Sequence, residues 1–343
     1  MQKPVGREDE AAKGGPANRY YRGPPSDHFD GRLFFNPGGT DPAGIGPVLE
    51  WQFGGHKAVW PKSFPSPFPP AMPESRVEGL RITMVGHATL LVQAGGVNVL
   101  LDPVWSDRCS PFSFAGPRRV SPPGIAFSDL PPIDAVLVSH NHYDHLDLPT
   151  LKRLAKAHDP LTITPLGNDT IIRKGAPALK VRAADWGDTV EIAPRARVTL
   201  TPAHHWSARW IKDRRMALWS GFMVETPAGA VYYAGDTGFG GGRHYEWVRA
   251  RFGKIRFAIL PIGAYEPRWF MAPQHQDPAQ AVEGFVMLGA DFAGGMHWGT
   301  WQLTNEAVDA PREELLAALD AKEVPREKFR PLHPGEVWDV PTA

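Results

Sequence analysis

Three imidazoles and a carboxylate fall within six residues, His140-Asn141-His142-Tyr143-Asp144-His145, directly behind the apolar run Ala135 to Val138. An apolar run of that length reads as a buried strand ending at Ser139, and the loop that follows it can aim several side chains at one point. Imidazole nitrogen and carboxylate oxygen suit zinc, and also manganese or iron, where sulfur is absent. Sulfur is nearly absent: the chain has one cysteine, Cys109, which excludes an internal disulfide and a thiolate-based structural zinc site.

Four ligands in one short loop point in different directions, and a catalytic zinc takes three protein ligands and a water. Two ions, or one ion with distant ligands, are therefore implied. The distant candidates are His205 in Thr201-Pro-Ala-His-His-Trp206, Asp236 in Ala234-Gly-Asp-Thr-Gly238 and His297 in Gly295-Met-His-Trp-Gly299. Each follows an expected strand and sits in a short turn containing Gly or Trp. A lone histidine is more often structural than a ligand; three such residues at the same kind of strand end reverse that expectation.

Along the chain, residues 1–75 are rich in Pro and Gly and show no sustained period of 2 or 3.6, which predicts an extended N-terminal arm whose first fifteen or so residues are mobile. Residues 76–343 form the second unit. It opens on a meander of strands at 81–85, 89–93 and 97–101, separated by Gly86-His87 and Gly95-Gly96. After the histidine loop a helix is expected over 147–157, capped by Asp147. Further strands are expected at 161–164, 179–182, 189–192, 197–201, 217–225, 230–234, 256–260 and 290–294, with helices at 243–252, 278–288 and 311–321. Strands bunch early in each half and helices follow, an α/β layout that suits two packed sheets with helices outside.

Hydrophobic residues make up 42% of the chain and charged residues 22%, as in an ordinary folded protein. Thirty-seven basic residues balance thirty-seven acidic ones, so no net field draws the protein onto nucleic acid, and no nucleic-acid partner is expected. No stretch approaches the ~20 apolar residues of a membrane span and no signal peptide is visible; the expected location is the cytoplasm, peripheral at a membrane.

The set His140, His142, Asp144, His145, His205, Asp236 and His297 resembles the ligand set of the metallo-β-lactamase superfamily. More narrowly, Gln274-His-Gln-Asp-Pro278, His297-Trp-Gly-Thr300, Gly235-Asp-Thr-Gly238 and Pro261-Ile-Gly-Ala-Tyr-Glu-Pro-Arg-Trp-Phe270 are similar to the N-acylphosphatidylethanolamine-hydrolysing phospholipase D family, from about residue 80 to 305. The resemblance implies a four-layered αβ/βα sandwich with two Zn2+ at one edge. One zinc would take His140, His142 and His205, the other Asp144, His145 and His297, with Asp236 bridging. His205 is chosen over His204 because the family's ligand directly precedes Trp; His204 then packs behind the ligands. Asp102 matches an aspartate that orients the histidine loop.

The activity the resemblance implies is hydrolysis of N-acylphosphatidylethanolamine-like phospholipids to N-acylethanolamine and phosphatidic acid through a zinc-bridging hydroxide. Asp144 would hold the nucleophile, and His275 would contact substrate or donate a proton near the leaving group. A phospholipid substrate calls for contact with a membrane surface, for which Trp105, Phe112, Phe114, Arg118 and Arg119, with Phe64 and Phe68 in the arm, are the candidates. The family's tendency to dimerise makes a homodimer the expected assembly. The alternative activity is metal-dependent lactone or ester hydrolysis on the same fold.

Overall fold

The computed structural model describes residues 17–55 and 57–342; the segment expected to be mobile lies almost wholly outside them. A helix α1 (Ile45–Phe53) precedes the first sheet, whose strands are β1 (Leu80–Gly86), β2 (Thr89–Ala94), β3 (Val97–Leu101), β4 (Ala135–Leu137), β5 (Leu161–Pro165) and β6 (Lys180–Ala184). Helices α2 (Leu148–Ala157) and α3 (Asn168–Gly175) connect its later strands. The second sheet holds β7 (Thr189–Ala193), β8 (Ala196–Thr201), β9 (Gly221–Thr226), β10 (Gly229–Tyr233), β11 (Phe257–Pro261), β12 (Phe292–Met296) and β13 (Phe329–Pro331). Helices α4 (Arg243–Phe252), α5 (Arg268–Met271), α6 (Pro278–Leu288) and α7 (Ala310–Ala321) are threaded between its parallel strands. Finally β14 (Val337–Asp339) returns to pair antiparallel with β1.

The two sheets share one plan. In the first, β1, β2 and β3 are antiparallel while β3 to β6 run parallel. In the second, β7 to β10 are antiparallel while β10 to β13 run parallel. Successive side chains of a strand point to opposite faces, so each sheet supplies two buried surfaces. Leu90, Val92, Val99 and Leu101 meet Val198, Leu200, Phe222, Val224 and Tyr233 between the sheets. On the outer face of the first sheet, Leu91, Leu100 and Val136 pack under Leu151, Leu154 and Ile172 of α2 and α3. Tyr232, Ala258 and Leu260 likewise pack under Tyr245, Phe285 and Leu315 of α4, α6 and α7. Burial on both faces is why these strands read as continuous apolar runs rather than alternating ones. The layers are helix, sheet, sheet, helix: the expected αβ/βα sandwich.

Several local expectations need correction. Helix α1 lies inside the segment expected to lack periodic structure, and α3 was not expected at all. Both are short, and α3 is set by a tertiary contact: besides a local bond to the Pro165 carbonyl, Asn168 donates to the carbonyl of Leu218. The strand expected over 217–225 begins only at Gly221, because the backbone of Leu218 and Ser220 turns to pair with Leu166 and Ser139. Asp147 stands before α2, yet its carboxylate makes no cap; it accepts instead from Ser106 and Thr150, tying the loop after β3 to the helix. Strands β13 and β14 have three residues each, too few to carry a period.

Candidate metal centre

Register fixes where the chemistry gathers. Leu101 at the end of β3 pairs with Leu137 at the end of β4 and with Leu90 near the start of β2. The β1–β2 turn, the end of β3 and the histidine loop therefore share one edge. In the second sheet Thr201 pairs with Gly221 and Pro261 with Met296, which brings the ends of β8, β10, β11 and β12 to a common edge. The carboxyl ends of parallel strands are the usual place for a site in such sheets.

Along that rim the side chains form overlapping groups, each with its potential ligand atoms within 4.8 Å of one another: His140, His142 and His205; His87, Asp144, His145 and His297; His140, His145 and Asp236; His205, Asp236 and His275. In the first group His140 Nε2 lies 2.8 Å from His142 Nδ1, which lies 3.2 Å from His205 Nε2. In the second, Asp144 Oδ2 lies 2.9 Å from His87 Nε2, 3.3 Å from His297 Nε2 and 3.5 Å from His145 Nε2. Asp236 Oδ2 joins the two groups, 3.1 Å from His297, 3.2 Å from His145, 3.8 Å from His205 and 4.0 Å from His140. The structure thus brings together all seven residues that the sequence singles out as ligands, with His275 at their side. His204 turns away, its ring packed beside Gly39 and Gly240.

Hydrogen bonds behind the rings set which nitrogen faces inward. Asp102 Oδ2 accepts from His145 Nδ1 at 2.6 Å, from Ser139 Oγ at 2.5 Å and from the Tyr233 hydroxyl at 2.5 Å, while Oδ1 accepts from Ser139 N. With its hydrogen given to Asp102, Ser139 Oγ is left as acceptor for His140 Nδ1 at 2.9 Å. His205 Nδ1 donates to the carbonyl of Gln274. In a neutral imidazole a protonated Nδ1 leaves Nε2 bare, so His140 and His205 each present an Nε2 lone pair to the interior of the site, and His145 would do so once a cation displaced its second proton. Partners of this kind hold ring orientation in metal sites.

Charge confirms the unusual setting. Burial pushes His142 and His275 each down to about 4 and His87 to about 3, the last aided by the neighbouring His297. His140 and His205 fall well below the ordinary range for the same reason. Burial disfavours charge on Asp144 and Asp236, but His145 and His297, joined at Asp144 by His87, together outweigh it and keep both carboxyls well below the usual carboxylate range. In return His145 rises well above its ordinary value, and His297 rises to about 9, drawn up against burial by Asp236 and Asp144. Two buried anions therefore depend on cationic rings. A divalent cation would take over that neutralisation, and buried polar atoms of the cluster without a hydrogen-bond partner, His145 Nε2, His297 Nε2 and Asp236 Oδ1, are donors suited to one. The residues fit a metal site.

Loops on three sides hold these groups. Arg209 Nη1 donates to the carbonyls of Asn141 and Leu146, closing the histidine loop on itself, and its guanidinium lies 3.7 Å from the Tyr143 ring centroid. Gln276 bridges the Pro261 carbonyl and the Tyr245 hydroxyl, and Asp277 caps α6 in a reciprocal box with Gln280. Between them His275 is fixed, its carbonyl held by Arg268 of the Pro261 to Phe270 stretch. Three rim residues, His87, Asp102 and His297, have positive φ of 56°, 35° and 69°, a strained backbone that concentrates at functional sites. His87 and Arg209 were missed by sequence reasoning. His87 looked like part of a turn beside Gly86, and only the register shows that this turn shares the rim; for Arg209 no local signal exists.

A family model described as a Beta-lactamase superfamily domain matches residues 97–298. The chain is 38% identical over 275 residues to N-acyl-phosphatidylethanolamine-hydrolyzing phospholipase D 1 of Caenorhabditis elegans, covering 76% of each chain. It is 29% identical over 259 residues to a UPF0173 metal-dependent hydrolase of Pyrobaculum neutrophilum, covering 75% of this chain and 99% of that one. Among solved structures, a metallo hydrolase from Ignicoccus hospitalis superposes with a TM-score of 0.55 at 21% identity, over 76% of this chain and 97% of the other, a likeness of fold.

Proposed function

The chain belongs to the metallo-β-lactamase superfamily and, within it, to the N-acylphosphatidylethanolamine-hydrolysing phospholipase D family, and on that premise we propose that this metal-dependent hydrolase is a two-zinc phosphodiesterase. Its substrates are N-acylphosphatidylethanolamine-like phospholipids, and its products N-acylethanolamine and phosphatidic acid. The observation that carries the reading is the position of Asp236 Oδ2, within 4.0 Å of imidazoles from both groups of donors. One zinc is assigned to His140, His142 and His205, the other to Asp144, His145 and His297, with Asp236 shared.

Bound there, two zinc ions would lower the pKa of a shared water to roughly 7, supplying a hydroxide nucleophile and offsetting charge on phosphoryl oxygens. The protein's own part is positional. His87 holds Asp144 through Oδ2, leaving its other oxygen to accept a hydrogen bond from the attacking water and keep it in line with phosphorus. Asp102 keeps His145 facing inward. His275, fixed between Arg268 and Gln276, contacts the leaving N-acylethanolamine oxygen. No helix among the described residues is long and apolar enough to cross a membrane, so lipid would be met at the bilayer surface.

A panel of phosphodiesters and lactones assayed side by side tests the proposal. N-acylethanolamine release from mixed micelles is expected, abolished by chelators and lowered at least about a hundredfold by Asp144→Asn. Turnover of lactones or carboxylic esters with none of any phosphodiester would reject it.

A further inference from the structure

We propose that the tips of two loops beside the metal centre form the surface by which this protein docks onto an anionic lipid bilayer. The proposal rests on the lipid reading of the site and goes further by placing the contact.

Four large apolar side chains are exposed in a shared patch: Phe112 at 47%, Phe114 at 80%, Trp210 at 56% and Ile211 at 82%. Phe112 sits 5.5 Å from Phe114 and 6.4 Å from Trp210 between ring centroids, so loops distant in sequence meet there. Neither loop belongs to a helix or strand. The same second loop reaches the metal centre. Trp206 packs against His142 at 4.6 Å, and Arg209, next to Trp210, clamps the histidine loop. A body held by this patch would present its metal-ligand rim to the layer that holds the substrate.

Charge selects the partner. Arg108 and Arg118 flank the first pair of rings in sequence, and Lys212 and Arg214 follow the second. Of the two acids in these loops, Asp107 sits against Arg118 at 3.3 Å, and Asp213 is buried, accepting from the backbone amides of Arg209 and Trp210. Arg214 is engaged by the Trp206 ring and the Ala43 carbonyl, which leaves Arg108 and Lys212 as the cations beside the aromatic tips, a combination that suits insertion at the headgroup boundary of an anionic leaflet. A protein partner fits less well: at their exposures of 47%, 80% and 56%, three rings of at most ~250 Å² each offer roughly 460 Å², and one isoleucine beside them does not raise this to the ~800 Å² a standard interface buries per partner. Three of the residues expected to meet lipid do not, among them Phe64, which packs edge-on against Trp298 in the core of the second sheet. Trp105 donates to the Ile125 carbonyl and packs on Phe127, and Arg119 lies over the Trp301 ring and holds the Val104 carbonyl; both brace the interior.

Co-sedimentation of the metal-loaded protein with phosphatidylcholine vesicles, with and without phosphatidylglycerol, tests this. Binding is expected to be stronger with phosphatidylglycerol, and to fall at least about tenfold in Phe114→Asp/Ile211→Asp. Turnover of soluble bis(p-nitrophenyl) phosphate should be unchanged in that variant, which also reports that the fold is intact. Arg108→Glu/Lys212→Glu should remove the preference for the anionic vesicles. Wild-type-like vesicle binding by the aromatic variant, or no vesicle binding by the wild type, overturns the proposal. If the protein cleaves no phosphodiester while the aromatic variant still loses vesicle binding, the functional reading fails and the docking surface stands.

Discussion

His87 acts through one hydrogen bond, Nε2 to Asp144 Oδ2 at 2.9 Å, and that bond decides which carboxylate oxygen is free. His87→Ala is expected to weaken metal affinity about 10- to 100-fold, as loss of a partner behind a ligand does, with His87→Gln restoring part of it. Competition with a chromophoric chelator measures this, and unchanged affinity in His87→Ala would remove His87 from the site. Asp102 is the second such residue, holding three side chains at once. Asp102→Ala leaves buried donors unpaired and should cost the metal-free protein about 3–5 kcal/mol in chemical denaturation. The seven candidate ligands were legible because imidazoles and carboxylates stand out behind apolar runs. His87 was not, because its part in the site depends on pairing across the sheet.

At the scale of elements, the site depends on loops pressed against strand ends. Gly263 follows β11 so closely beside β12 that a Cβ there would stand 2.1 Å from the His297 carbonyl oxygen. Gly263→Ala is therefore expected to lose about 1–3 kcal/mol and to displace His297, lowering bound metal; thermal denaturation with metal analysis reads both, and a variant unchanged in each would show that the loop gives way freely. Gly235, at φ 62° before Asp236, is a second position where backbone conformation favours glycine. Long buried strands and amphipathic helices were readable because their apolar pattern repeats. Helix α3 and strands β13 and β14 were not, since elements this short are held by partners remote in sequence, as Asn168 shows by reaching the carbonyl of Leu218.

Over the whole molecule, the N-terminal arm is tied to the back of the site. Phe29 and Phe34 pack with Ala203, Leu218 and Trp219. Asn36 donates to the carbonyl of His205 and accepts from Trp219 Nε1, and Thr40 accepts from Gln274. Asn36→Ala should cost about 1–3 kcal/mol for the buried groups it strands; equal stability of wild type and variant in urea would show the arm to be dispensable there. Two sheets, their helices and the arm thus converge on one cluster of donors. The claim that this cluster hydrolyses a phosphodiester is tested most directly by turnover of N-acylphosphatidylethanolamine in heavy-oxygen water, followed by mass spectrometry of the products. Label in the phosphate of phosphatidic acid, with unlabelled N-acylethanolamine, is predicted. Label in a released fatty acid, or no product at all from the metal-loaded protein, would contradict it.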